Sequence, residues 1–254
     1  MKPQIEWRSE GLPVGSLVIA DLHLDPLGGA RVDHFVDWVA ALEAPALLIL
    51  GDLFEAWFGP KTRRLAGAQA IVEALAAMVQ RGTQLHVVPG NRDFLLGRDF
   101  ESWTGGRVHD HGLGVVQDGE RWLFLHGDEL CTLDVGYQRL KRVLRSGPMR
   151  FLGPRLPFTL LKRTARKLRE ASGKAVARKP VPEKSMQVSA VVAQRSQHQA
   201  DLLVVGHAHE WRDERPANGP RWIVLDAWEG ERDTLRVLAE GAVEPFSHAE
   251  LTSK

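Results

Sequence analysis

Six short apolar runs, each closed by glycine or a polar cluster, set the rhythm of the chain: SLVIADLHL, ALLILGDLFE, QLHVVPGNRDF, RWLFLHGDEL, DLLVVGHAHE and RWIVLDAW. Runs closed in this way predict buried strands. Between the first three lie RVDHFVDWVAALEA and TRRLAGAQAIVEALAAMVQRG, which carry a helical pattern. The resulting β-α-β-α-β order predicts an α/β fold with parallel strands joined by right-handed crossovers. Further on, Asp118-Gly119 separates two strand-like runs and predicts an antiparallel hairpin. Residues 135–198 read as mostly helical, interrupted by Gly147-Pro148, Gly153-Pro154, Pro157 and KPVPEK. That segment is expected to be an insertion packed on the sheets of a single domain spanning residues 1–254.

With 254 residues and 44% apolar content, the chain can bury a sizeable core. A single cysteine, Cys131, excludes an intramolecular disulfide framework and a multi-thiolate metal site, and reads as a packed thiol. The opening MKPQIEWRSEGLPVGS has no long apolar stretch, and no later run reaches the roughly 20 apolar residues that span a bilayer, so a cytoplasmic protein is expected.

Net charge is only +1, yet eleven Lys and Arg and no Asp or Glu fall between Arg139 and Arg169, which leaves the remainder of the chain net acidic. Leucines and phenylalanines interleave that basic block, as suits a surface meeting something both anionic and apolar.

The strand-like runs end in polar residues, where open α/β sheets place their ligand sites. Asp21, His23, Asp52, Asn91, His126, His207 and His209 stand there. Oxygen and imidazole donors in this mixture suit Mn, Fe, Zn or Mg rather than thiophilic ions. Seven ligands exceed one ordinary site, whereas two metals sharing a carboxylate use them all; such pairs serve in-line displacement at phosphorus. His109 and His111 in VHDHG are expected to be structural.

DLHL, GDLFE, GNRDF, HGDELC and GHAH together resemble the signature of the calcineurin-like metallophosphoesterases. Within that superfamily, GDLFEAWFG, GNRDFLLG and HGDELCTLDVGYQ resemble the UDP-2,3-diacylglucosamine pyrophosphohydrolases of lipid A synthesis, over about residues 17–228. The resemblance implies a four-layer αββα sandwich of mixed sheets with a helical lid at 135–198. It implies one metal held by Asp21, His23, Asp52 and His209, a second by Asp52, Asn91, His126 and His207, and two Mn²⁺ ions as cofactors. Asn91, Arg92, Asp93 and His126 would be catalytic. Asn91, Arg92, Asp134, Tyr137, Arg169, Ser172, Lys179 and His207 would contact substrate. The implied reaction is attack of a metal-activated water on the α-phosphorus of a nucleotide-linked acylated sugar, giving UMP and a lipid-linked sugar phosphate. The implied place is the cytoplasmic face of the inner membrane, with the basic, apolar 139–169 segment as its contact. A monomer that does not bind nucleic acid is expected, since the basic block lacks a recognised reading module.

Arg92 stands where the general phosphoesterase motif has histidine. A guanidinium offers fixed charge and forked hydrogen bonds but no proton to transfer. Such a residue suits a leaving group that departs without a proton, such as a phosphomonoester with its last pKa of about 6. The residue therefore favours pyrophosphate over simple phosphoester cleavage; the alternative is a structural pair with Asp93. Three departures from the subfamily bear on substrate: Pro60-Lys61-Thr62 replaces an acidic pair, Val176 replaces asparagine, and Glu210 replaces arginine. They leave open a related phosphoesterase with another nucleotide diphosphate or a phosphodiester substrate, and, in another class, a scaffold without activity.

Overall fold

The computed structural model describes residues 5–144, 146 and 185–251. The first three apolar runs form β2 (Leu17–Ile19), β3 (Ala46–Leu50) and β4 (Gln84–Val88), joined by helices α1 (Ala30–Ala41) and α2 (Ala66–Gln80). Their pairings are parallel, as the β-α-β-α-β order predicts. On one edge β4 pairs in parallel with β5 (Arg107–Val108), which follows α3 (Arg98–Thr104). On the other, β2 pairs antiparallel with β11 (Thr234–Val237), and β11 with β12 (Val243–Phe246).

A second six-stranded sheet runs β1 (Glu6–Arg8), β6 (Leu113–Gln117), β7 (Glu120–Phe124), β8 (Leu202–Val205), β10 (Arg221–Val224), β9 (Arg212–Glu214). The predicted hairpin is the β6–β7 pair, with Gln117 opposite Glu120 and positive φ at both Asp118 and Gly119. Both signs are those of a type I′ turn. Strands β7, β8 and β10 are mutually parallel, so both sheets are mixed.

Side-chain alternation explains why the runs are apolar throughout. In the first sheet Leu17, Ile19, Leu47 and Ile49 pack under α1 and α2, while Val18, Leu48 and Leu50 face the second sheet. There Trp122, Phe124, Val204 and Ile223 meet them, and Leu123, Leu203, Trp222 and Val224 point to the opposite face. That face is covered by Leu130, Met186 and Val191, the last on α5 (Val188–His198). Helices, sheet, sheet and helix make the four layers; each buried Leu, Val or Ile contributes about 1.5–3 kcal/mol by leaving water.

Two helix boundaries differ from the pattern. The expected start of the second helix at Thr62 is instead a 3₁₀ turn, Pro60–Arg64, and extended Leu65 separates it from α2. Thr62 Oγ1 accepts from Phe58 N (2.9 Å), which holds the tighter turn. α1 stops at Ala41, where Leu42 turns extended and its N–H bonds back to Val39 O. Of the expected insertion, α4 (Val135–Leu144) and α5 are described; most of 145–184, with the lid between them, lies outside the described residues.

Candidate metal centre

The parallel strands β2, β3, β4, β7 and β8 all end on one side, and the loops that leave them carry the polar residues named from the sequence. Backbone pairing continues into these loops: Asp21 N donates to Gly51 O (3.2 Å), His23 N to Asp52 O (2.8 Å), and Gly206 N to His126 O (3.0 Å). Asp21, His23, Asp52, His207 and His209 nonetheless all have φ between 48° and 67°. Asp and His tolerate this left-handed region better than most residues, and strain of this kind concentrates at functional sites. Glycines supply the remaining room. A Cβ on Gly90 would fall 2.1 Å from Asp52 Oδ1, and one on Gly206 2.5 Å from Asp21 Oδ2.

All seven sequence-selected residues converge in two groups. In one, His23 Nε2 and His209 Nε2 lie 3.1 Å apart, and His209 Nε2 is 3.5 Å from Asp21 Oδ1. In the other, His126 Nε2 lies 2.9 Å from Asn91 Oδ1 and 3.2 Å from His207 Nδ1. Asp52 lies between them, with Oδ2 3.9 Å from His23 Nδ1 and Oδ1 3.8 Å from His126 Nε2. His126 Nδ1–H donates to Leu50 O (2.9 Å), which leaves Nε2 as the ring nitrogen turned to the group. Asp21 belongs to both groups: its ligand atoms come within 4.8 Å of those of His23 and His209, and also of those of Asp52 and His126.

The electrostatics call for a cation. Asp21 and Asp52 are buried, Asp21 Oδ1 and His23 Nδ1 have no hydrogen-bond partner among the described residues, and of the seven only His209 is broadly exposed. Burial, reinforced by Asp93 and Asp21, pushes Asp52 up to about 7. Burial opposes charge on His126, but Asp52, Asp21 and Asp128 outweigh it and raise the imidazole to about 9. Burial holds His23 at about 3 and His207 at about 4, the latter helped by His126. Neutral imidazoles facing crowded carboxylates fit divalent ions, which supply the missing positive charge.

Around this centre the remaining assignments separate. Arg92 does not pair with Asp93. Its NH1 donates to Glu55 Oε1 (2.7 Å), its Nε lies 3.6 Å from Asp52 Oδ2, and its backbone N donates to Asp52 Oδ1 (2.9 Å). Glu55, which the sequence reading did not select, also lies 3.5 Å from His23 Nδ1. Its signal was the last letter of GDLFE, indistinguishable there from an ordinary loop acid. Asp93 is fully buried and accepts from Gly90 N (2.7 Å) and Phe54 N (3.4 Å), so its carboxylate braces the loops that carry Asp52 and Asn91. Asp134 caps α4 by accepting from Tyr137 N (3.0 Å), and the Tyr137 hydroxyl donates to buried Asp128. Arg169, Ser172 and Lys179 lie outside the described residues.

Sandwiched mixed sheets with a carboxylate-histidine cluster at the strand ends define a metal-dependent phosphoesterase. The calcineurin-like phosphoesterase profile matches residues 16–211, and the chain belongs to that family, as a metal-dependent hydrolase. Similar proteins are called UDP-2,3-diacylglucosamine hydrolase. That of Aeromonas salmonicida (strain A449) is 38% identical over 226 residues, covering 85% of this chain and 86% of its own. That of Pseudomonas putida (strain W619) is 35% identical, covering 91% and 98%. That of Escherichia coli O7:K1 (strain IAI39) is 34% identical, covering 89% and 96%.

Proposed function

We propose that the protein hydrolyses the pyrophosphate bond of UDP-2,3-diacylglucosamine, releasing UMP and 2,3-diacylglucosamine 1-phosphate. The observation that carries this reading is the guanidinium of Arg92 beside Asp52, with Nε 3.6 Å from Oδ2, where a proton-transferring histidine would serve alcohol leaving groups. The names and extent of the relatives support it.

In this reading Asp21, His23, Asp52 and His209 hold one divalent ion, and Asp52, Asn91, His126 and His207 the other, with Mn²⁺ the expected metal. When bound, the ions supply Lewis acidity and a nucleophile at neutral pH. Arg92 presents fixed positive charge to phosphoryl oxygens that gather charge in the transition state. Glu55 holds the guanidinium in place, and Asp93 keeps the Asp52 and Asn91 loops in register. Water, giving up a proton to solvent, bonds through its oxygen to the α-phosphorus, the bond from that phosphorus to the bridging oxygen breaks, and its electron pair leaves with the sugar phosphate as an anion that needs no proton. Asn91, Arg92 and His207 line the phosphate path, and Tyr137, with capped Asp134, sets the wall from which α4 rises. Leu133, Val135, Leu140 and Val143 on and before α4 are exposed apolar groups, the kind that meet acyl chains. Contact with the cytoplasmic face of the inner membrane follows from an acylated substrate. Among the described residues no helix is long and apolar enough to cross a membrane.

The test is UMP release from UDP-2,3-diacylglucosamine with added Mn²⁺, with Asp52→Ala as blank. Release lost in the variant supports the reading. Hydrolysis of an artificial phosphodiester without UMP release would keep the centre and replace the substrate by another nucleotide diphosphate or phosphodiester.

A further inference from the structure

Five of the six apolar runs close on residues of the two ligand groups; the sixth, RWIVLDAW, closes on Asp226, which belongs to neither. That run forms β10, and its place in the second sheet gives the aspartate its neighbours. β10 lies between β8, which leads into the loop carrying His207 and His209, and β9, which leaves that loop. On one side Val205 pairs with Val224 in parallel register, and on the other Arg212 stands opposite Val224 in antiparallel register. The loop from Gly206 to Trp211 therefore straddles the end of β10, where Asp226 stands.

The two ends of that loop are held differently. On the entry side Leu225 N donates to Val205 O (2.9 Å) and His207 N to Asp21 Oδ2 (2.6 Å). On the exit side Trp211 N donates to Asp226 Oδ1 (2.8 Å). The other carboxylate oxygen accepts from Arg232 N (3.0 Å), and Asp226 N donates to Arg232 O (3.3 Å), so the turn that follows fixes the side chain. Trp211 packs against the core between the sheets, with the Arg232 guanidinium 5.7 Å from its ring centre. His209 gains little from packing: its side chain is 45% exposed, against 1% for His126. An imidazole this open keeps its place through its backbone, and a carboxylate accepting from a backbone N–H is among the stronger bonds that can hold one.

We infer that Asp226 is a positioning residue for His209: by accepting from Trp211 N, just downstream, its carboxylate fixes the direction from which the imidazole reaches the group it shares with Asp21 and His23. His209 Nε2 lies 3.1 Å from His23 Nε2 and 3.5 Å from Asp21 Oδ1, so a small swing of the loop takes the nitrogen out of the group. Outer partners that orient a ligand commonly account for about tenfold or more in metal affinity. The inference rests on the reading that His209 holds a divalent ion. Its rival is that Asp226 only closes the turn between β10 and β11.

The experiment is Mn²⁺ retention by the full-length, metal-loaded protein against graded chelator, for the wild type, Asp226→Asn, His209→Ala and the double variant. In Asp226→Asn one of the two oxygens becomes an NH₂ group that cannot accept. Affinity for the ion that His209→Ala weakens should then fall about tenfold, while the other ion is retained. The double variant should lose no more than about twofold beyond His209→Ala alone, since a residue acting through His209 has nothing left to act on. Should Asp226→Asn not fold, Asp226→Ser, which keeps one acceptor oxygen, is read in the same way. Equal retention by wild type and Asp226→Asn, or a double variant whose loss is the product of the two single losses, would overturn the positioning role and leave Asp226 as a brace of the turn. The two readings fail separately. If His209→Ala retains both ions as the wild type does, the ligand assignment falls and the inference with it; loss in His209→Ala without loss in Asp226→Asn removes the inference alone.

Discussion

Arg92 is bonded to Glu55, 37 residues away, rather than to its neighbour Asp93: NH1 and Oε1 are 2.7 Å apart. The two acids divide the work. Asp93 is inward and braces backbone amides, while Glu55, part-exposed, orients the guanidinium and also stands 3.5 Å from His23. Glu55→Gln keeps the shape and removes the charge, so pyrophosphate hydrolysis should fall about tenfold, within the usual cost of losing an outer partner. Metal content should stay near that of the wild type. A drop in bound metal equal to the drop in rate would mean that Glu55 acts through His23 instead, and metal analysis of the purified variant decides between them.

Arg92 itself can be tested by leaving group. Arg92→His should lower pyrophosphate cleavage by about 10²-fold or more, the range for losing one preorganised donor. A phosphodiester with a poor alcohol leaving group should suffer less, because the new imidazole can carry a proton. Equal rates for wild type and variant on pyrophosphate would sink the proton-independent role.

α4 is tied to the loop after His126 by a second long-range pair. Lys141 Nζ lies 2.8 Å from Asp128 Oδ2, with the carboxylate fully buried and the ammonium side chain 14% exposed. Removing the ammonium leaves buried Asp128 hydrogen-bonded by Tyr137 but without this cation, so Lys141→Met should cost about 3 kcal/mol or somewhat less at this slightly wet edge. Lys141→Met/Asp128→Asn should recover part of it. Denaturant midpoints of the single and double variants measure the coupling, and additive losses would show that the pair does not anchor the helix.

Cys131 should be chemically quiet. Burial first, then Asp128, Glu129 and Asp134, push its thiol up to about 12. At pH 8 the thiolate fraction is then on the order of one in ten thousand. Iodoacetamide should label the unfolded chain and leave the folded one unmodified over the same interval; rapid labelling of the native protein would contradict this packing.

The parts of the molecule legible in the sequence are those with long, uniform patterns. Strands β2, β3, β4, β7, β8 and β10 are buried on both faces, so their apolar runs stand out. The metal centre was legible because each ligand follows such a run and because Asp, His and Asn are costly groups to place there without a purpose. What escaped was short or edge structure. β5 has two residues, and β9 reads Arg-Asp-Glu because a solvent-facing edge strand favours charge over alternation. α3 has seven residues, too few for a helical period to declare itself. Glu55 escaped for another reason: its importance lies in Arg92 and His23 reaching it through space, and sequence spacing carries no trace of that.

Metal uptake should compete with protons, with a sign set by His126. In the metal-free centre Asp52, Asp21 and Asp128 outweigh burial and raise this imidazole to about 9, while burial, reinforced by Asp93 and Asp21, pushes Asp52 up to about 7. Nε2 must be deprotonated to donate to a metal, as must Asp52. Between pH 7 and 9 His126 is mainly protonated and Asp52 mainly ionised, so each bound pair of ions displaces close to one proton. Apparent affinity should therefore rise about tenfold per pH unit across that window, level off above about 9, and steepen below about 7 as Asp52 adds a second proton. His23 and His207, held low by burial, are already neutral and contribute nothing to the slope. Calorimetric titration with Mn²⁺ in buffers of different ionisation enthalpy reads the proton count directly. Zero protons released at pH 8 would mean that His126 is neutral before the metal arrives, and that Asp52, Asp21 and Asp128 do not hold a proton on it.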